Sequence, residues 1–547
     1  MKPSIFRSAV AIVLAAAIAS DALAAGFTPE PEAIRGHIGF LASDLLRGRE
    51  PGTPGFDIAA AYVASRFTEL GLKPGGDAGS YLQRVPLVGY RPAEQGEIKL
   101  SGAAGGPVDL VFGEDYRPAA SPTVTEVDLK GAPMVFVGFG VSSPEKGHDD
   151  YAGLDVKGKI VVALAGARMD YPNLSQERNY YLSPRTKRQE AAKRGAIGFL
   201  TLNSPASERQ VSFERANRTW QTWATSWRTP QGTGPAIGAG AVPMGTISVK
   251  GAAKLFAGSG HTPEEIYDAA VSAAANPPAF DLAVKADVRL KSETRTIESA
   301  NVAGIIEGSD PKLRGEYVVM SAHLDHLGVA ANPTGPDAIY NGALDNAAGI
   351  ATLLEVARGF MQDKVKPKRS VIILAVTGEE KGELGSEYFA VNPTVPKTSI
   401  IADVNLDMPI LKYDFKDVVA FGAERSTVGP AVGRAAARHG VKLSPDPVPE
   451  QGIFTRSDHY RFVEQGVPSV MLMLGFANGG EAAFKTFMAE RYHKVGDDTS
   501  QMIDYQAAAK FAGVNYEIAK ELANAKDRPK WNPGDFFGEK FGSGVVR

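Results

Sequence analysis

Cysteine is absent from this chain of 547 residues. Its absence excludes disulfides, a thiolate nucleophile, cysteine ligands to zinc and a lipid-modified N-terminal cysteine. Histidine is scarce, with 8 residues in the whole sequence. A histidine that stands beside acidic residues at the end of a predicted strand therefore carries more weight than it would in a histidine-rich chain.

Clusters of basic residues are also lacking. The formal net charge is −3, and no block of the sequence is dense in lysine and arginine. This distribution argues against a nucleic-acid partner. The length exceeds what a single hydrophobic core usually reaches, so we expect two or three domains.

Long hydrophobic runs are lacking except near the N-terminus. Lys2 and Arg7 precede the apolar residues 9–19, and small residues follow at 22–24. This pattern predicts a secretory signal peptide over residues 1–24. The apolar run is too short to cross a bilayer comfortably, so we expect no membrane span. An exported chain without disulfides fits a bacterial periplasm or the extracellular medium.

Hydrophobic periodicity divides the rest of the chain. Apolar residues at three- and four-residue steps predict two helices within residues 31–72. Strand-like runs at 134–137 and 160–164 indicate a separate β-rich module. Residues 204–240 are typical of a long surface excursion, and the tail at 527–547 is predicted to wrap the surface.

From about residue 280, predicted strands and helices alternate, which is typical of an α/β sandwich. The predicted strands are 317–321, 371–376, 400–406 and 469–474. The predicted helices are 346–361, 384–389 and 428–439.

Five short segments in this second half carry histidine or acidic residues. They follow or interrupt buried strand-like runs, and open α/β sheets place their sites at the carboxyl ends of such strands. The segments are Ala322–His326, Leu344–Asn346, Gly378–Glu380, Asn405–Asp407 and Tyr492–His493. Together they predict a hydrolase with two metal ions.

The predicted metal ligands are two imidazoles and three carboxylates. Zinc and similar divalent ions take these groups, and a hydrolytic site leaves a position for water. Asp345 is the candidate bridge between two ions, because a shared carboxylate holds such ions about 3.5 to 4 Å apart. His323 and Asp407 would complete one site, and Glu380 and His493 the other.

Two further acids have predicted roles beside the metals. Successive side chains of an extended segment point to opposite sides, so Glu379 is free to act as a base when Glu380 binds metal. Asp325 lies on the same side as His323, and we expect it to hold the second nitrogen of that imidazole.

The chain resembles the co-catalytic zinc aminopeptidase family, whose relatives include glutamate carboxypeptidase and glutaminyl cyclase. The family pattern consists of a His-x-Asp, an Asp before a helix, a Glu-Glu pair, an Asn-x-Asp and a late Tyr-His. The matching residues are His323–Asp325, Asp345, Glu379–Glu380, Asn405–Asp407 and Tyr492–His493.

The resemblance implies two zinc ions per chain. It places His323, Asp345 and Asp407 on one ion and Asp345, Glu380 and His493 on the other. It also implies Glu379 as the general base, Asp325 as the residue that orients His323, and Tyr492 as a donor to the oxyanion. The Asp345–Asn346 peptide is expected to be cis.

The resemblance further implies a three-layer α/β sandwich with a mixed, mostly parallel central sheet, as in zinc exopeptidases. Residues 136–140, 149–151 and 158–161 resemble the protease-associated domain that many secreted members insert. The expected division is therefore 25–124 for the N-terminal part of the peptidase domain, 125–279 for the insert and 280–547 for the main peptidase domain.

Several functions stay open on the sequence. The first is an exported aminopeptidase acting on peptides with a free N-terminus. A carboxypeptidase or dipeptidase needs a cation for the substrate carboxylate, and Arg456 is the candidate. A glutaminyl cyclase would use one zinc ion, whereas a receptor without catalysis would have lost ligands that are all present here. We interpret His459 as structural or pocket-forming, and His326 as a support for the ligands.

Overall fold

The computed structural model describes residues 27–102, 106–167, 175–229, 240–272, 276–333 and 335–542. The predicted signal peptide at 1–24 lies outside these residues. Among the described residues, no helix combines the length and apolar character that crossing a bilayer requires.

The helices and strands alternate along most of the chain. The α-helices are Pro31–Leu41, Pro54–Leu70, Ser175–Leu182, Pro184–Lys193, Pro205–Gln210, Phe213–Asn217, Ala252–Leu255, Pro263–Val271, Ala348–Gln362, Leu384–Val391, Val428–Arg438, His459–Val463, Gly480–Glu490, Tyr505–Asn524 and Phe536–Phe541. The strands are Lys73–Pro74, Leu82–Pro92, Glu97–Ser101, Val108–Asp109, Tyr116–Pro118, Glu126–Val137, Ser142–Ser143, His148–Asp149, Ile160–Leu164, Gly198–Leu202, Ala224–Trp227, Val242–Ile247, Ala279–Ile306, Tyr317–His323, Gly328–Val329, Ile339–Tyr340, Ser370–Val376, Ile400–Leu406, Asp417–Phe421, Lys442–Ser444 and Ser469–Leu474.

The main sheet is built around four parallel strands. In spatial order they are Ser370–Val376, Tyr317–His323, Ile400–Leu406 and Ser469–Leu474. Nearly every residue in them is buried, as expected for parallel strands covered on both faces. Antiparallel strands continue the sheet on both sides, with Ala279–Ile306 next to the first of the four and Asp417–Phe421 next to the last.

Alternate residues of these strands enter two different cores. Val318 and Met320 pack in the core that contains the helices Ala348–Gln362 and Tyr505–Asn524. Val319 packs in a second core on the opposite face, with Phe389 and Phe462 from two short helices. This period of two with both faces covered confirms the predicted three-layer sandwich with a mixed, mostly parallel sheet.

A second sheet stands beside the main one. Its strands, in spatial order, are Tyr116–Pro118, Val242–Ile247, Gly198–Leu202, Ile160–Leu164, Glu126–Val137, the first half of Ala279–Ile306, Glu97–Ser101 and Val108–Asp109. The 28-residue strand Ala279–Ile306 therefore belongs to both sheets. Strands from before residue 125 and after residue 279 take part in this second sheet, and the predicted domain limits 125–279 stay a prediction.

Two segments that were predicted to lie on the surface contain buried side chains. Within the predicted excursion at 204–240, the strand Ala224–Trp227 pairs with Leu82–Pro92 at the edge of the main sheet, and the Trp227 side chain is buried. The described part of the tail contains the helix Phe536–Phe541, whose Phe537 is fully buried. Both segments contain aromatic residues, and burying their large apolar area favours docking over exposure.

Candidate metal centre

The ends of three parallel strands bring the acidic and histidine residues to one edge of the main sheet. His323 is the last residue of one strand, Asp407 directly follows a second, and Glu379 and Glu380 come shortly after a third. Because parallel strands end at the same edge, these side chains converge although up to 84 positions separate them in the sequence.

Two further side chains reach this edge from other elements. Asp345 lies in the turn at 343–347, which precedes the helix Ala348–Gln362, and its peptide bond to Asn346 is cis, as predicted. His493 follows the helix Gly480–Glu490. We call His323, Asp345, Glu380, Asp407 and His493 the strand-end cluster.

One half of the strand-end cluster centres on His323. Its Nε2 atom lies 3.2 Å from Asp345 Oδ1 and 3.1 Å from Asp407 Oδ1. All three side chains are almost completely buried. Their ligand atoms lie within 4.8 Å of one another, which is close enough to share one cation.

The other half uses the second oxygen of the same aspartate. His493 Nε2 lies 3.4 Å from Asp345 Oδ2 and 3.1 Å from Glu380 Oε2. His326 also enters this half, because its Nδ1 atom lies 2.7 Å from Glu380 Oε1, and His326, Asp345 and Glu380 form a second group of converging ligand atoms. The two oxygens of Asp345 thus face two different groups.

The donor set fits divalent cations. Several carboxylates are packed around the imidazoles, and burying such negative charge is costly unless cations compensate it. Asp345 Oδ2 and Glu380 Oε1 are buried and accept no well-aligned hydrogen bond from the described residues, despite the close contacts. Imidazole nitrogen and carboxylate oxygen are ligands that zinc prefers.

The pKa values of the cluster show how strongly its members interact. Burial alone would raise the pKa of Asp345, but close contacts with the imidazoles of His323 and His493 hold it well below its ordinary value. Burial alone would lower the pKa of His493, whereas contacts with Asp345 and Glu380 raise it to about 10. Protons and cations would compete for these atoms, since metal binding requires the deprotonated ligands.

Glu379 lines a pocket that opens onto the strand-end cluster. Tyr492 also lines this pocket, and its ring stacks on that of His493 with centroids 3.9 Å apart. Burial raises the pKa of Glu379 well above its ordinary value, and the carboxylates of Asp407 and Glu380 act in the same direction. A carboxyl group with a raised pKa beside a reactive site is suited to proton transfer near neutral pH.

The rest of the pocket is mainly apolar. Its apolar lining consists of Met408, Ile453, Met471, Phe484 and Met488. The polar side chains Gln451 and Arg456 also line it. Methionine side chains are flexible and polarisable, so this pocket is suited to an apolar group of variable shape.

Asp325 acts differently from the prediction. Its backbone carbonyl, not its carboxylate, faces His323 Nδ1 at 3.1 Å. The carboxylate instead accepts the backbone N–H groups of Glu379 at 3.1 Å and Glu380 at 3.4 Å. The prediction that the Asp325 carboxylate holds the imidazole was wrong, because the carboxylate binds these two backbone N–H groups instead.

Asp497 is a functional residue that the sequence did not reveal. Its carboxylate accepts the backbone N–H groups of Leu344, at 3.1 Å, and Asp345, at 3.0 Å, and so holds the turn that carries the shared aspartate. The position of Asp497, four residues after His493, was the available signal. Nothing in a lone aspartate indicates that its partners are backbone groups about 150 positions away.

Arg49 was also missed as a supporting residue. Its buried guanidinium donates to the carbonyls of Leu324 at 2.9 Å, Asn341 at 2.6 Å and Gly342 at 3.2 Å. These carbonyls belong to the two loops that carry Asp325 and Asp345. A planar guanidinium with several donors can tie such loops together, and its charge opposes that of the neighbouring carboxylates.

Ser457 contacts Asp407 of the strand-end cluster. Its hydroxyl donates to Asp407 Oδ2 at 2.7 Å and accepts from Asn405 Nδ2 at 2.7 Å. The neighbouring His459 is fully buried and packs against the ring of Phe454, with centroids 5.2 Å apart. Its position agrees with a structural role near the pocket.

The fold and its site define a class of α/β sandwich proteins that gather histidine and carboxylate side chains at the carboxyl ends of parallel strands. Within this class, residues 301–519 match the model of peptidase family M28. The matched segment contains the whole strand-end cluster, Glu379 and Tyr492.

Curated relatives match shorter stretches. A probable zinc metalloprotease of Pyrenophora teres f. teres is 32% identical over 112 residues, which cover 20% of this chain and 23% of the relative. A glutamate carboxypeptidase 2 homolog of Caenorhabditis elegans is 33% identical over 116 residues, covering 20% of this chain and 13% of the relative. The chain thus spans about a quarter or less of the length of these relatives.

Among solved structures, an aminopeptidase from Aneurinibacillus sp. strain AM-1 is similar over 93% of this chain and 97% of its own. The sequence identity is 19% and the TM-score is 0.49.

Proposed function

We propose that this protein is an exported metallo-aminopeptidase that holds two zinc ions and removes N-terminal residues from peptides. The observation that carries the proposal is that the two carboxylate oxygens of Asp345 contact different histidines. Oδ1 lies 3.2 Å from His323 Nε2, and Oδ2 lies 3.4 Å from His493 Nε2. A carboxylate arranged in this way is suited to bridge two cations. The match of residues 301–519 to the model of peptidase family M28 supports the choice of peptide hydrolysis.

The pocket beside the strand-end cluster supports the proposal of an exopeptidase that binds the N-terminal residue of its substrate. A protonated amine is attracted to the carboxyl groups of Asp345, Asp407 and Glu379, which all line the pocket. The methionine-rich lining then receives the first side chain. We therefore expect a preference for peptides whose N-terminal side chain is apolar.

Zinc ions bound at the cluster would supply Lewis-acid activation of the scissile carbonyl and of the attacking water. Glu379 accepts the proton of that water and delivers it to the leaving amine, which the raised pKa of its carboxyl group favours. The Tyr492 hydroxyl donates a hydrogen bond to the developing oxyanion. Asp325 keeps Glu379 in place through the backbone hydrogen bond at 3.1 Å.

The substitution Glu379→Gln tests this assignment. We expect kcat for aminoacyl-anilides to fall by roughly three orders of magnitude, because the amide cannot accept the proton. Metal content should stay that of the parent chain, since Glu379 is not a proposed ligand. The matched control is Glu355→Gln, a buried glutamate paired with Arg358 at 2.6 Å on the helix Ala348–Gln362. Full activity of Glu379→Gln would overturn the assignment.

A dipeptidase or carboxypeptidase is the second candidate, and one observation favours it. The exposed Arg456 lines the same pocket and could pair with a free substrate carboxylate. Dipeptides blocked at either end separate the two candidates. Cleavage of C-blocked but not N-blocked dipeptides supports the aminopeptidase, and the reverse supports the carboxypeptidase.

The number of bound metal ions distinguishes the aminopeptidase from a third candidate, a glutaminyl cyclase. Two zinc ions per chain and hydrolysis that a chelator abolishes support the aminopeptidase. One ion, with cyclisation of N-terminal glutamine in place of hydrolysis, would identify a cyclase.

We also propose that residues 1–24 direct export and that residues 125–279 form an inserted protease-associated domain. Expression in a bacterial host with its periplasm tests the first point. A mature N-terminus near residue 25 in the periplasmic fraction is expected, and an uncleaved cytoplasmic chain would contradict it.

A further inference from the structure

One side of the substrate pocket is formed by residues 449–456, which we call the pocket wall. Gln451, Ile453 and Arg456 of this segment line the pocket. The pocket wall consists of two short 3-10 turns joined at Gly452, and it belongs to neither a long helix nor the main sheet. Ser457 fixes its end through the hydrogen bonds to Asp407 and Asn405, and the position of the rest depends on what packs behind it.

The helix Ser175–Leu182, which we call the module helix, packs behind the pocket wall. It follows the second-sheet strand Ile160–Leu164 in the chain. Gly452 adopts a left-handed conformation with φ of 60°, and a Cβ atom built there would overlap the side-chain amide of Asn179. Only a residue without a side chain allows the module helix to approach this closely.

The C-terminal helix Phe536–Phe541 completes the support. Phe537 is fully buried and packs on Phe454 of the pocket wall, with ring centroids 5.2 Å apart. Phe536 packs on Tyr180 and Tyr181 of the module helix, with centroids 5.8 Å apart in each case. The C-terminal helix thus touches both the module helix and the pocket wall.

Arg425 joins the same three elements by polar contacts. Its guanidinium lies 4.9 Å from the ring centroids of both Phe454 and Phe537. It donates to Gln176 of the module helix at 2.9 Å and to Asp535 at 2.8 Å. A single cation thereby fixes the relative positions of the module helix, the C-terminal helix and the pocket wall.

We propose that the module helix and the C-terminal helix hold the pocket wall through the Asn179–Gly452 contact and the Phe537–Phe454 contact, and so determine which N-terminal side chains the pocket accepts. Both helices lie outside residues 301–519, the segment that carries the strand-end cluster. Selectivity is therefore set by parts of the chain that hold none of the proposed metal ligands. The selectivity part of this inference rests on the proposed aminopeptidase function.

The experiment uses the full chain and a pair of mutually compensating substitutions. Gly452→Ala places a methyl group on the Asn179 amide, and Asn179→Ala removes that amide. The double variant Asn179→Ala with Gly452→Ala keeps the new methyl group but has room for it. Gly440→Ala is the matched control, because Gly440 also has a left-handed φ, of 65°, but a Cβ atom there meets nothing within 4 Å.

Two readouts are measured on each variant. The first is the ratio of kcat/KM for leucyl-anilide to that for alanyl-anilide, together with metal content. The second does not depend on catalysis: it is the rate of tryptic cleavage after Arg456, an exposed residue of the pocket wall followed by the buried Ser457.

For Gly452→Ala we expect the selectivity ratio to change at least about tenfold and tryptic cleavage to accelerate by a similar factor, with metal content unchanged. The double variant should return to within about threefold of the parent chain, and Gly440→Ala should stay within about twofold. If Gly452→Ala does not fold, Asn179→Ala alone decides the matter, with an expected change in both readouts of at least about threefold.

Three outcomes would overturn the inference. The first is a Gly452→Ala variant with the selectivity ratio and tryptic rate of the parent chain. The second is a double variant that is altered as much as Gly452→Ala. The third applies if Gly452→Ala does not fold, and it is an Asn179→Ala variant in which neither readout changes. A parent chain that hydrolyses no aminoacyl-anilide would instead refute the proposed function. The tryptic rates would then still decide whether the contact holds the pocket wall.

Discussion

The strand-end cluster and the pocket wall line the same pocket, yet they are built in different ways. The cluster is formed by residues at the ends of strands that pair with one another, together with Asp345 and His493 from two other elements, all within a single matched segment. The pocket wall depends on helices about 270 residues before it and about 80 residues after it. The groups that bind and react are thus positioned by the core of the main sheet, whereas the groups that select are positioned by contacts between distant segments.

The two sides also differ in chemistry. The cluster consists of buried carboxylates and imidazoles whose charges need compensation. The pocket wall is supported by aromatic rings and one arginine, so its stability comes mainly from buried apolar area. Substitutions on the cluster side should therefore change metal binding and rate, and those behind the pocket wall should change stability and selectivity.

The largest effect is expected for Asp345→Asn. Loss of the shared carboxylate removes a ligand from both halves of the cluster, so kcat/KM should fall about ten-thousandfold or more with loss of metal. The control is Asp403→Asn, which lies on the strand of Asp407 and accepts from Ser321 at 2.8 Å. Burial raises the pKa of Asp403 well above its ordinary value, which favours the neutral acid that an amide resembles. Parental metal content in Asp345→Asn would contradict the bridging role.

Phe537→Ala should produce the next largest effect, on stability. Truncating a fully buried phenylalanine costs about 3–5 kcal/mol of unfolding free energy, which denaturant titration measures. Metal content should stay parental, because the described ring contacts of the C-terminal helix are with residues such as Tyr180 and Phe454, which are not proposed metal ligands. Phe541→Ala, at a part-buried position on the same helix, should cost clearly less. Loss of metal from folded Phe537→Ala would show that the two sides of the pocket are not independent.

Two buried histidines allow the strand-end cluster and the pocket wall to be compared with the same substitution. His326 and His459 are both fully buried, but His326 lies on the cluster side, 2.7 Å from Glu380, and His459 lies behind the pocket wall. His326→Gln should weaken binding of one metal ion about 10- to 100-fold, as expected for a residue that orients a ligand. Competition with a chelator of known affinity measures this. His459→Gln should leave metal affinity within about twofold, and an equal loss in both variants would contradict the distinction.

The smallest expected effect is a pH dependence on the pocket-wall side. Burial lowers the pKa of His459 to about 3, whereas an unfolded histidine titrates near its ordinary value of 6.5. The stability that this neutral residue contributes is fully present above pH 6.5 and is lost progressively as pH falls towards 3, because only the unfolded chain takes up the proton. Between pH 7 and about pH 5.5, this loss amounts to about 1 kcal/mol.

Comparing urea titrations of the parent chain and His459→Gln at the two pH values isolates this contribution. The variant should lack that part of the acid sensitivity. If both chains lose the same stability over this range, burial of His459 is not the cause.

The difference between the two sides also explains what the sequence could predict. The four central strands were predicted closely because parallel strands buried on both faces consist of unbroken apolar runs. Residues that follow such runs must meet at one edge, so His323, Glu379, Glu380 and Asp407 could be grouped from their positions in the sequence. The helix after Asp345 was placed from its apolar stripe, and it begins at Ala348, two residues later than predicted.

The supporting residues could not be found in the same way. Arg49 and Asp497 act on backbone groups of distant loops, and a backbone N–H or carbonyl leaves no mark in the sequence. The role of Asp325 was misjudged for the same reason, since its carboxylate binds the N–H groups of Glu379 and Glu380. The docking of the tail required knowledge of the surface formed by Tyr180, Tyr181 and Phe454, which comes from separate parts of the chain.

The strand Ala279–Ile306 has a consequence for the order in which the protein can assemble. Its second half pairs with Leu82–Pro92, so that Pro92 lies opposite Ser292. A growing chain cannot form this part of the main sheet until all the intervening residues, including most of the second sheet, have been synthesised. Pairings between such distant residues slow folding, because a large loop must close before any contact forms. The strand Leu82–Pro92 therefore has no hydrogen-bonded partner on that edge until some 200 further residues have been synthesised. The early helices, which precede this strand, likewise lack the second half of Ala279–Ile306 during that time.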